Sequence, residues 1–463
     1  MPITPESGIR IDIFNMVSRH LCHMRELGVS THRHEDAISV ARSLVSAALV
    51  LETVWLHNYL RHPALTRDPT LPAISLLPLL PTNLFNRSAP RLRCLRIFSF
   101  RVPWSSLDFS SLVHLRINIF WPAATAEMAQ TTGSNSEMHG FGSVLSTLSR
   151  MPVLEVLGLY HTLPPLPTDA TPRTTFSLCI ALPRLRTLCL VDNILKCIVV
   201  LNHITMPSTT RKSIECTLDA VNGHGSDLIL PWFTSQIDAS SSLHGSEIEC
   251  WERGFKIDTT ISNSFRTIME QIPSGPPSSN TENTNIHFSV IHLTTGETYS
   301  VFQTICRALP LDHLETLHIH VSNAWRHTED WFMVLGRCKN LHHVSMGTFD
   351  SSLWTALTTM YNIPTDGHSD PLFPSLTSLT LLYWNFKRDV ERLGMLLELL
   401  RHRRGIAPLQ KVDLTRCEVD GQTVEQIRAE VPEVIWDERG EVSRIAPFLV
   451  TFLASFHATH PIT

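Results

Sequence analysis

The chain has 463 residues, of which 43% are hydrophobic and 17% are charged, with a formal net charge of −5 and a sequence pI near 6.6. This composition is typical of a protein with a large apolar core and not of a disordered chain. Because there is no overall basic excess, we expect neither nucleic acid nor an anionic membrane as a partner.

The cysteine usage and the N-terminus indicate the compartment. Ten cysteines are scattered without a C-x-x-C pair, which favours core thiols in a reducing environment. The opening MPITPESGIRIDIF lacks the basic and apolar regions of a signal peptide. The most apolar run, residues 38–56, contains Arg42 and Glu52, so we interpret it as a buried helix followed by a strand. We therefore expect a cytoplasmic or nuclear protein.

A leucine-rich pattern recurs along the chain. Residues 185–195, L-R-T-L-C-L-V-D-N-I-L, occupy every fixed position of the leucine-rich repeat L-x-x-L-x-L-x-x-N/C-x-L, and residues 409–419 fit it again. Copies of L-x-x-L-x-L that allow Met, Val or Ile begin at Met24, Leu51, Leu92, Leu112, Leu154, Leu185, Leu314, Leu341, Leu376 and Leu409. The Asn or Cys is expected to cap the turn after each strand. One unit cannot bury its apolar face alone, so neighbouring units should stack.

These repeats predict an α/β protein, specifically an irregular leucine-rich-repeat solenoid. A curved parallel sheet would form the concave side, with helices and loops on the convex side. We expect residues 1–440 to form one solenoid and residues 441–463 to form a C-terminal cap or tail. Clear repeats occupy residues 24–195 and 314–419, whereas residues 211–285 contain no clean repeat.

Between the repeats, residue spacing predicts helices. The inner face of one helix should consist of Phe386, Val390, Leu393, Leu397 and Leu400. Gly405 is placed to end this helix, and Thr423 with Gln426 could form a capping box that starts another. A third helix is predicted from Val301, Ile305 and Leu309. A proline two residues before the first leucine should begin an extended segment at Pro90, Pro152, Pro183 and Pro374.

Polar and proline-rich stretches interrupt the pattern. We predict surface loops at residues 121–140, 161–177 and 272–285. Short strands are predicted in the irregular middle near residues 214–218, 248–251 and 288–293. The glycine-rich residues 223–227 have no lysine and no following helix signal, so we interpret them as a loop.

Motifs for catalysis or for a bound group were sought in the sequence. It contains no phosphate-binding loop, no nucleophile elbow and no H-E-x-x-H motif. His32, His34, Glu35 and Asp36 cluster, but no further ligand obviously completes a closed site, so solvated histidines are favoured over zinc. We expect no cofactor, no metal and no enzymatic activity. The rival hypothesis is a catalytic centre within residues 211–285, which a pocket of perturbed titratable groups would support.

Strand alternation predicts where a partner binds. The third, fifth and seventh positions of each repeat should face the concave side, opposite the inward leucines. The candidate partner-binding residues are Trp55, His57, Arg96, Phe98, Arg116, Tyr160, His318, His320, His343 and Trp384. Aligned aromatics and arginines are typical of interface hot spots, although single exposed aromatics are ordinary on any surface. Arg96 and Arg116 occupy the same position of consecutive repeats, so they either extend into solvent or grip a carboxylate or phosphate together.

Several stretches resemble the leucine-rich-repeat F-box proteins that are expanded in mushroom-forming fungi. They are LPTNLFNRSAPRLRCLRI (80–97), LSRMPVLEVLGLYHTLPPLP (148–167), LPRLRTLCLVDNIL (182–195), LDHLETLHIHVSNAWRHTEDWF (311–332), FPSLTSLTLLYWNF (373–386) and VPEVIWDERG (431–440). The resemblance covers about residues 20 to 440. It implies the substrate-recognition part of a ubiquitin-ligase adaptor.

Members of that family usually begin with an F-box, which docks the Skp adaptor of a cullin ligase. We expect no F-box in this chain, because Met24 already lies in a repeat strand. Skp and cullin are therefore expected as partners only if a longer product carries that module. The alternative is a free-standing leucine-rich-repeat scaffold or recognition protein without a connection to ubiquitin.

Overall fold

The computed structural model describes residues 15–59, 77–119, 140–167, 170–171, 178–217, 229–235, 245–251, 254–258, 286–291, 295–309, 311–321, 328–347, 351–362 and 369–437. The chain divides into two compact units. Unit 1 comprises Met1–Ser240 and Pro273–His292, and unit 2 comprises Ser241–Ile272 and Leu293–Thr463. Both units are of the mixed α/β class with mainly parallel strands.

The strands and helices are numbered in chain order. The strands are β1 (Glu26–Thr31), β2 (Thr53–Asn58), β3 (Cys94–Phe98), β4 (His114–Asn118), β5 (Val156–Tyr160), β6 (Ile180–Ala181), β7 (Thr187–Asn193), β8 (Ile204–Thr205), β9 (Arg211–Thr217), β10 (Gly245–Trp251), β11 (Gly254–Asp258), β12 (Ile286–Ile291), β13 (Thr316–Val321), β14 (His343–Met346), β15 (Met360–Asn362), β16 (Ser369–Pro371), β17 (Ser378–Asn385), β18 (Lys411–Glu418) and β19 (Glu433–Ile435). The α-helices are α1 (His34–Ser43), α2 (Phe141–Ser149), α3 (Ile194–His203), α4 (Thr295–Ala308), α5 (Thr328–Leu335), α6 (Ser351–Thr358), α7 (Val390–Arg404) and α8 (Gly421–Arg428). Short 3-10 turns occur at Leu21–His23, Leu84–Arg87, Trp104–Ser106 and Leu311–His313.

In unit 1 the main sheet has the strand order β1-β2-β3-β4-β5-β7-β9-β12, and every neighbouring pair is parallel. Strands β6 and β8 form a separate two-stranded parallel sheet. Because these neighbouring strands are parallel, the chain must return to the same end of the sheet before each new strand begins. Residues at equivalent repeat positions therefore line up across the strands.

In unit 2 the main sheet has the strand order β11-β10-β13-β14-β17-β18-β19. Its pairs are parallel except β10 and β11, which form an antiparallel hairpin. Strands β15 and β16 make a small antiparallel ribbon. The sequence predicted parallel strands alone, and the β10–β11 hairpin departs from that prediction because its turn falls in the segment without a clean repeat.

The leucine pattern forms the core of both units. In the nine copies that begin at Leu51 or later, all three apolar positions are at most 3% exposed. Each fully buried side chain of this type contributes roughly 1.5–3 kcal/mol to stability. The first copy is the exception, because Met24 before β1 and Val29 within β1 are only half-buried. Strand β1 is the first strand of its sheet. The inward orientation predicted for these leucines is thus observed.

The prolines before the strands occupy tight turns. In the segment Ala89-Pro90-Arg91-Leu92, the N–H of Leu92 donates to the carbonyl of Ala89 at 3.1 Å. Equivalent bonds precede the strands at Leu154, Leu185 and Leu376. Proline stands at the second turn position, for which its fixed φ is suitable. The predicted extended segment was wrong, since a turn and not an extended run leads into each strand.

Of the two caps predicted from the sequence, one is confirmed and one is wrong. Asn193 caps α3, because its side chain accepts from the N–H of Leu195 at 2.9 Å, as the repeat pattern predicted. The capping box was wrong. Asp420 caps α8 by accepting from the N–H of Thr423 at 2.7 Å, which places Thr423 inside the helix. Aspartate is as good a cap as threonine, and it stands where the strand ends.

The predicted inner face is confirmed in part, because Phe386 before helix α7 and Leu400 within it are buried. Val390 is 72% exposed, whereas Leu396 and Leu399 are fully buried. Arg403 is also buried, and it donates to the carbonyls of Leu372 at 2.9 Å and Phe373 at 2.6 Å. These bonds satisfy the turn before β17, so a cation replaces an apolar residue on the inner face. The predicted stop is confirmed, since Gly405 is the C-cap.

The remaining predictions concern one helix, three strands in the irregular middle, the loops and the C-terminal tail. Val301 and Ile305 of helix α4 and Leu309, which directly follows it, are buried as predicted. Strands β9, β10 and β12 overlap the three strands predicted in the irregular middle. Within the predicted loop at residues 161–177, Leu163 is buried. The loops at residues 121–140 and 272–285, the glycine-rich residues 223–227 and the C-terminal tail at 441–463 lie wholly or almost wholly outside the described residues.

Candidate partner-binding face

The side of the unit 1 sheet opposite the buried leucines carries most of the predicted site. We call the following residues of β2 to β5 the outward face: Thr53, Trp55, His57, Cys94, Arg96, Phe98, His114, Arg116, Asn118, Val156, Gly158 and Tyr160. The register brings Trp55, Arg96, Arg116 and Gly158 into one transverse row, because each is the Cα partner of the next. Trp55 is 42% exposed in this row.

The two arginines of this row lean in opposite directions. The guanidinium carbon of Arg96 lies 5.8 Å from the ring centroid of Trp55, a cation–π contact toward β2. Arg116 lies over Gly158 on the other side, since a Cβ atom added at Gly158 would be 3.1 Å from its Cγ and 3.7 Å from its Cδ. The structure therefore holds the Arg96 guanidinium against Trp55 and the aliphatic stem of Arg116 against the backbone of Gly158. It brings the residues together but separates their side chains.

Tyr160 closes the row beside Gly158. A Cβ atom at Gly158 would lie 3.0 Å from Cε2 of Tyr160, so any other residue there requires Tyr160 and Arg116 to shift by a few tenths of an ångström. The side chains of Tyr160 and of Cys189 on β7 interact with each other. Burial raises the pKa of Tyr160 well above its ordinary value, and burial also raises the pKa of the Cys189 thiol. Both groups are therefore neutral at physiological pH.

A column of four rings stands at the carboxyl ends of β1 to β3. Tyr59 stacks on His57 at 3.6 Å and on His32 at 5.0 Å between ring centroids, and His57 contacts Phe98 at 4.9 Å. Burial, and then the charge of His32, lower the pKa of His57. Sequence reasoning missed Tyr59, which is 45% exposed and follows β2 directly. Its signal was an aromatic residue at the repeat position where Asn or Cys was expected.

His114 lies beside the arginine row. Its pKa is lowered first by burial and then by Arg96 and Arg116, whereas Glu155 acts in the opposite direction. Glu155 itself forms an ion pair with Arg186 at 3.6 Å. The charges of the outward face are consequently those of its two arginines, because the face contains no carboxylate and its histidines are held toward the neutral form.

In unit 2 the outward positions hold the predicted histidines. His343 pairs in register with Thr316 and Ser378, and its Nδ1 lies 3.0 Å from the hydroxyl of Ser378. Its ring centroid lies 6.1 Å from that of His318. Burial lowers the pKa of His343 against the effect of Asp413, which raises it. His320 belongs to β13, but its side chain lies outside the described residues.

Trp384 does not lie on the outward face as predicted. Strand β17 changes its pairing register after Thr380, and Tyr383 has a positive φ of 63°. This irregularity interrupts the alternation, so Tyr383 is 50% exposed while Trp384 is 2% exposed. The Trp384 ring packs against Trp354 at 5.3 Å and Phe386 at 5.6 Å. Trp384 is therefore a core residue, and Tyr383 occupies the exposed position.

The described residues show neither a metal-binding cluster nor a membrane-spanning helix. Within the described ranges, no three His, Cys, Asp or Glu side chains are grouped so that they could hold a metal ion. None of the helices in the described part combines the length and hydropathy needed to cross a bilayer. No protein-family model matches the chain, and no curated protein matches it either. The outward face of unit 1 is the feature best suited to a partner.

Proposed function

We propose that the chain is a non-enzymatic leucine-rich-repeat interaction protein that captures a partner protein on the outward face of unit 1. The parallel strands, the three buried positions of each repeat and the Asn193 cap support the leucine-rich-repeat assignment. The arrangement as a solenoid with that face on its concave side is part of the proposal. The face offers contact area rather than an enclosed pocket.

The row of Trp55, Arg96 and Arg116 is the observation that carries this proposal. Tryptophan and arginine are the residue types most enriched among interface hot spots. Here they are held in register on three adjacent strands, and a half-exposed tryptophan already contacts one guanidinium. Such preorganised side chains lose little conformational entropy when a partner binds.

The connection to ubiquitin is the second part of the proposal. It rests on the resemblance of the repeat stretches to fungal F-box proteins, in which the repeats read the substrate. In that role the chain acts in the cytoplasm or nucleus, and Skp and cullin join it if a longer product carries an F-box. Without that module the same face serves a free-standing recognition protein or scaffold.

Affinity purification of the tagged full-length chain from its own cells tests both parts. We compare the wild type with Trp55→Ser and with Val390→Ser, a control that removes an apolar residue 72% exposed on α7. Partners of the outward face should be lost with Trp55→Ser and kept with Val390→Ser. Recovery of Skp and cullin supports the ligase role, and their absence from a full-length product favours the free-standing one. If no retained protein depends on Trp55, the proposed face is wrong.

A further inference from the structure

The divergence of Arg96 and Arg116 bears on what kind of segment the outward face binds. Their Cα atoms are register partners on β3 and β4, and neighbouring strands are roughly 4.8 Å apart. Yet Arg96 leans over Trp55 on β2, and Arg116 leans over Gly158 on β5. The Arg96 guanidinium thus lies toward β2, whereas the aliphatic stem of Arg116 runs toward β5.

We propose that the outward face binds an acidic peptide segment that crosses the strands and places one carboxylate on each arginine. This inference rests on the proposed function and names the chemistry of its partner. A single anion held by both arginines would require converging side chains, whereas the Arg96 guanidinium lies toward β2 and the Arg116 stem runs toward β5. Each fork can then accept its own carboxylate through paired hydrogen bonds.

The surroundings of the two arginines favour a peptide over nucleic acid. Phe98 follows Arg96 by two residues, and Tyr160 follows Gly158 by two residues, so both lie in the next row of the same face. They provide apolar contact for the peptide side chains between the carboxylates. His57 and His114 add no fixed positive charge, since burial lowers the pKa of both. With a net charge of −5, the chain as a whole also repels a polyanion.

Gly158 leaves the space in which the aliphatic stem of Arg116 lies. A side chain at residue 158 would occupy space that Cγ of Arg116 now fills, with only 3.1 Å left to an added Cβ. Gly28 occupies the same row on β1, but a Cβ there would meet Trp55 at 3.8 Å, an ordinary contact. Gly158→Ala should therefore displace the Arg116 stem without removing its charge, and Gly28→Ala is the matched control.

The test begins with a random peptide library displayed on phage and selected on the full chain. Peptides enriched by the wild type should carry two separated Asp or Glu residues. One such peptide, labelled with fluorescein, is then titrated against Arg96→Gln, Arg116→Gln and the double variant. Each single change should weaken binding about fivefold, and the double change should weaken it by the product, about 25-fold, because independent contacts add in free energy.

Controls separate this binding from general electrostatics. Arg91→Gln with Arg184→Gln changes the net charge equally at two exposed turns of unit 1, and it should leave binding within about twofold. Gly158→Ala should weaken binding about as much as Arg116→Gln does, while Gly28→Ala should not. Replacing the two peptide carboxylates by amides should abolish the dependence on both arginines.

Four results would overturn the inference. They are selected peptides without acidic pairs, equal losses in the control pair, a double variant no weaker than either single variant, and tighter arginine-dependent binding of a labelled single-stranded oligonucleotide. If proteins retained from cells depend on Trp55 but not on the arginines, the acidic segment is wrong and the proposed function stands. If nothing retained depends on Trp55, the proposed function fails on its own.

Discussion

Arg403 shows how far a single residue can depart from its local pattern. It lies in the last turn of α7, where charged side chains commonly reach solvent, yet it is 1% exposed and donates to two carbonyls of the turn before β17. Burial lowers the pKa of Arg403 to about 10, which still leaves it charged at neutral pH. Spacing alone could not predict this, because the turn that needs the donors is 30 residues earlier.

Arg403→Met should destabilise unit 2 by about 3 kcal/mol, because two buried carbonyls lose their charged donor. The free energy of unfolding from urea denaturation measures the loss. Arg404→Met is the matched control, since the Arg404 side chain is 68% exposed and its ion pair with Glu430 should contribute less than about 1 kcal/mol. Equal effects of the two substitutions would mean that the bonds of Arg403 add nothing beyond its charge.

The cap of α8 is a second residue that can be tested. Asp420→Ala should cost about 1 kcal/mol, because the N–H of Thr423 loses its acceptor. Gln426→Ala, which removes the residue that a capping box would use, should have almost no effect. Thermal or urea unfolding of the two variants decides between the caps, and a larger loss with Gln426→Ala would contradict the observed one.

At the scale of elements, the leucine pattern predicted the strands well because buried alternation leaves little freedom of register. Leu95, Leu115 and Leu157 are all fully buried Cα partners on consecutive strands. Prediction failed where a local backbone feature broke the alternation, as at Tyr383, or where a strand carried no repeat, as in β11. The register of Arg96 with Arg116 followed from the pattern, but their divergence depends on Trp55 and Gly158 in neighbouring strands.

Strand β7 provides a matched pair for this alternation. Leu188→Asp should destabilise unit 1 by several kcal/mol, because an unpaired charge would enter the shared core. Thr187→Asp changes the adjacent, half-buried position on the outward side, and it should cost much less. Urea denaturation followed by circular dichroism compares them. Similar midpoints for both variants would contradict the inward orientation of Leu188.

For the whole molecule, acid should lower stability through three histidines. The pKa values of His57, His114 and His343 are all lowered from 6.5, with burial as the largest cause. As the pH falls below 6.5, the unfolded chain takes up protons that the folded chain refuses, so the free energy of unfolding decreases. The stability that the neutral histidines contribute is fully present above pH 6.5. It is lost as the pH falls from 6.5 to the lowered pKa values of the folded state.

Urea midpoints measured between neutral and mildly acidic pH check this dependence. A variant with His57→Gln, His114→Gln and His343→Gln should show a flatter decline than the wild type. His313→Gln, at an exposed position outside the sheet of unit 2, is the control for the substitution of a histidine by glutamine. A triple variant as sensitive to acid as the wild type would place the titrating groups elsewhere.

The turns before the strands have a consequence for how such a chain can change over evolution. Each turn fixes where the next strand starts, so the segment between strands can lengthen without moving the residues of the row: Leu92 and Leu112 are 20 residues apart, and Leu112 and Leu154 are 42 apart. Insertions and point mutations therefore act on separate properties. Insertions lengthen the segments between strands, while single substitutions at positions such as 55, 96 or 116 can alter ligand preference without a new fold.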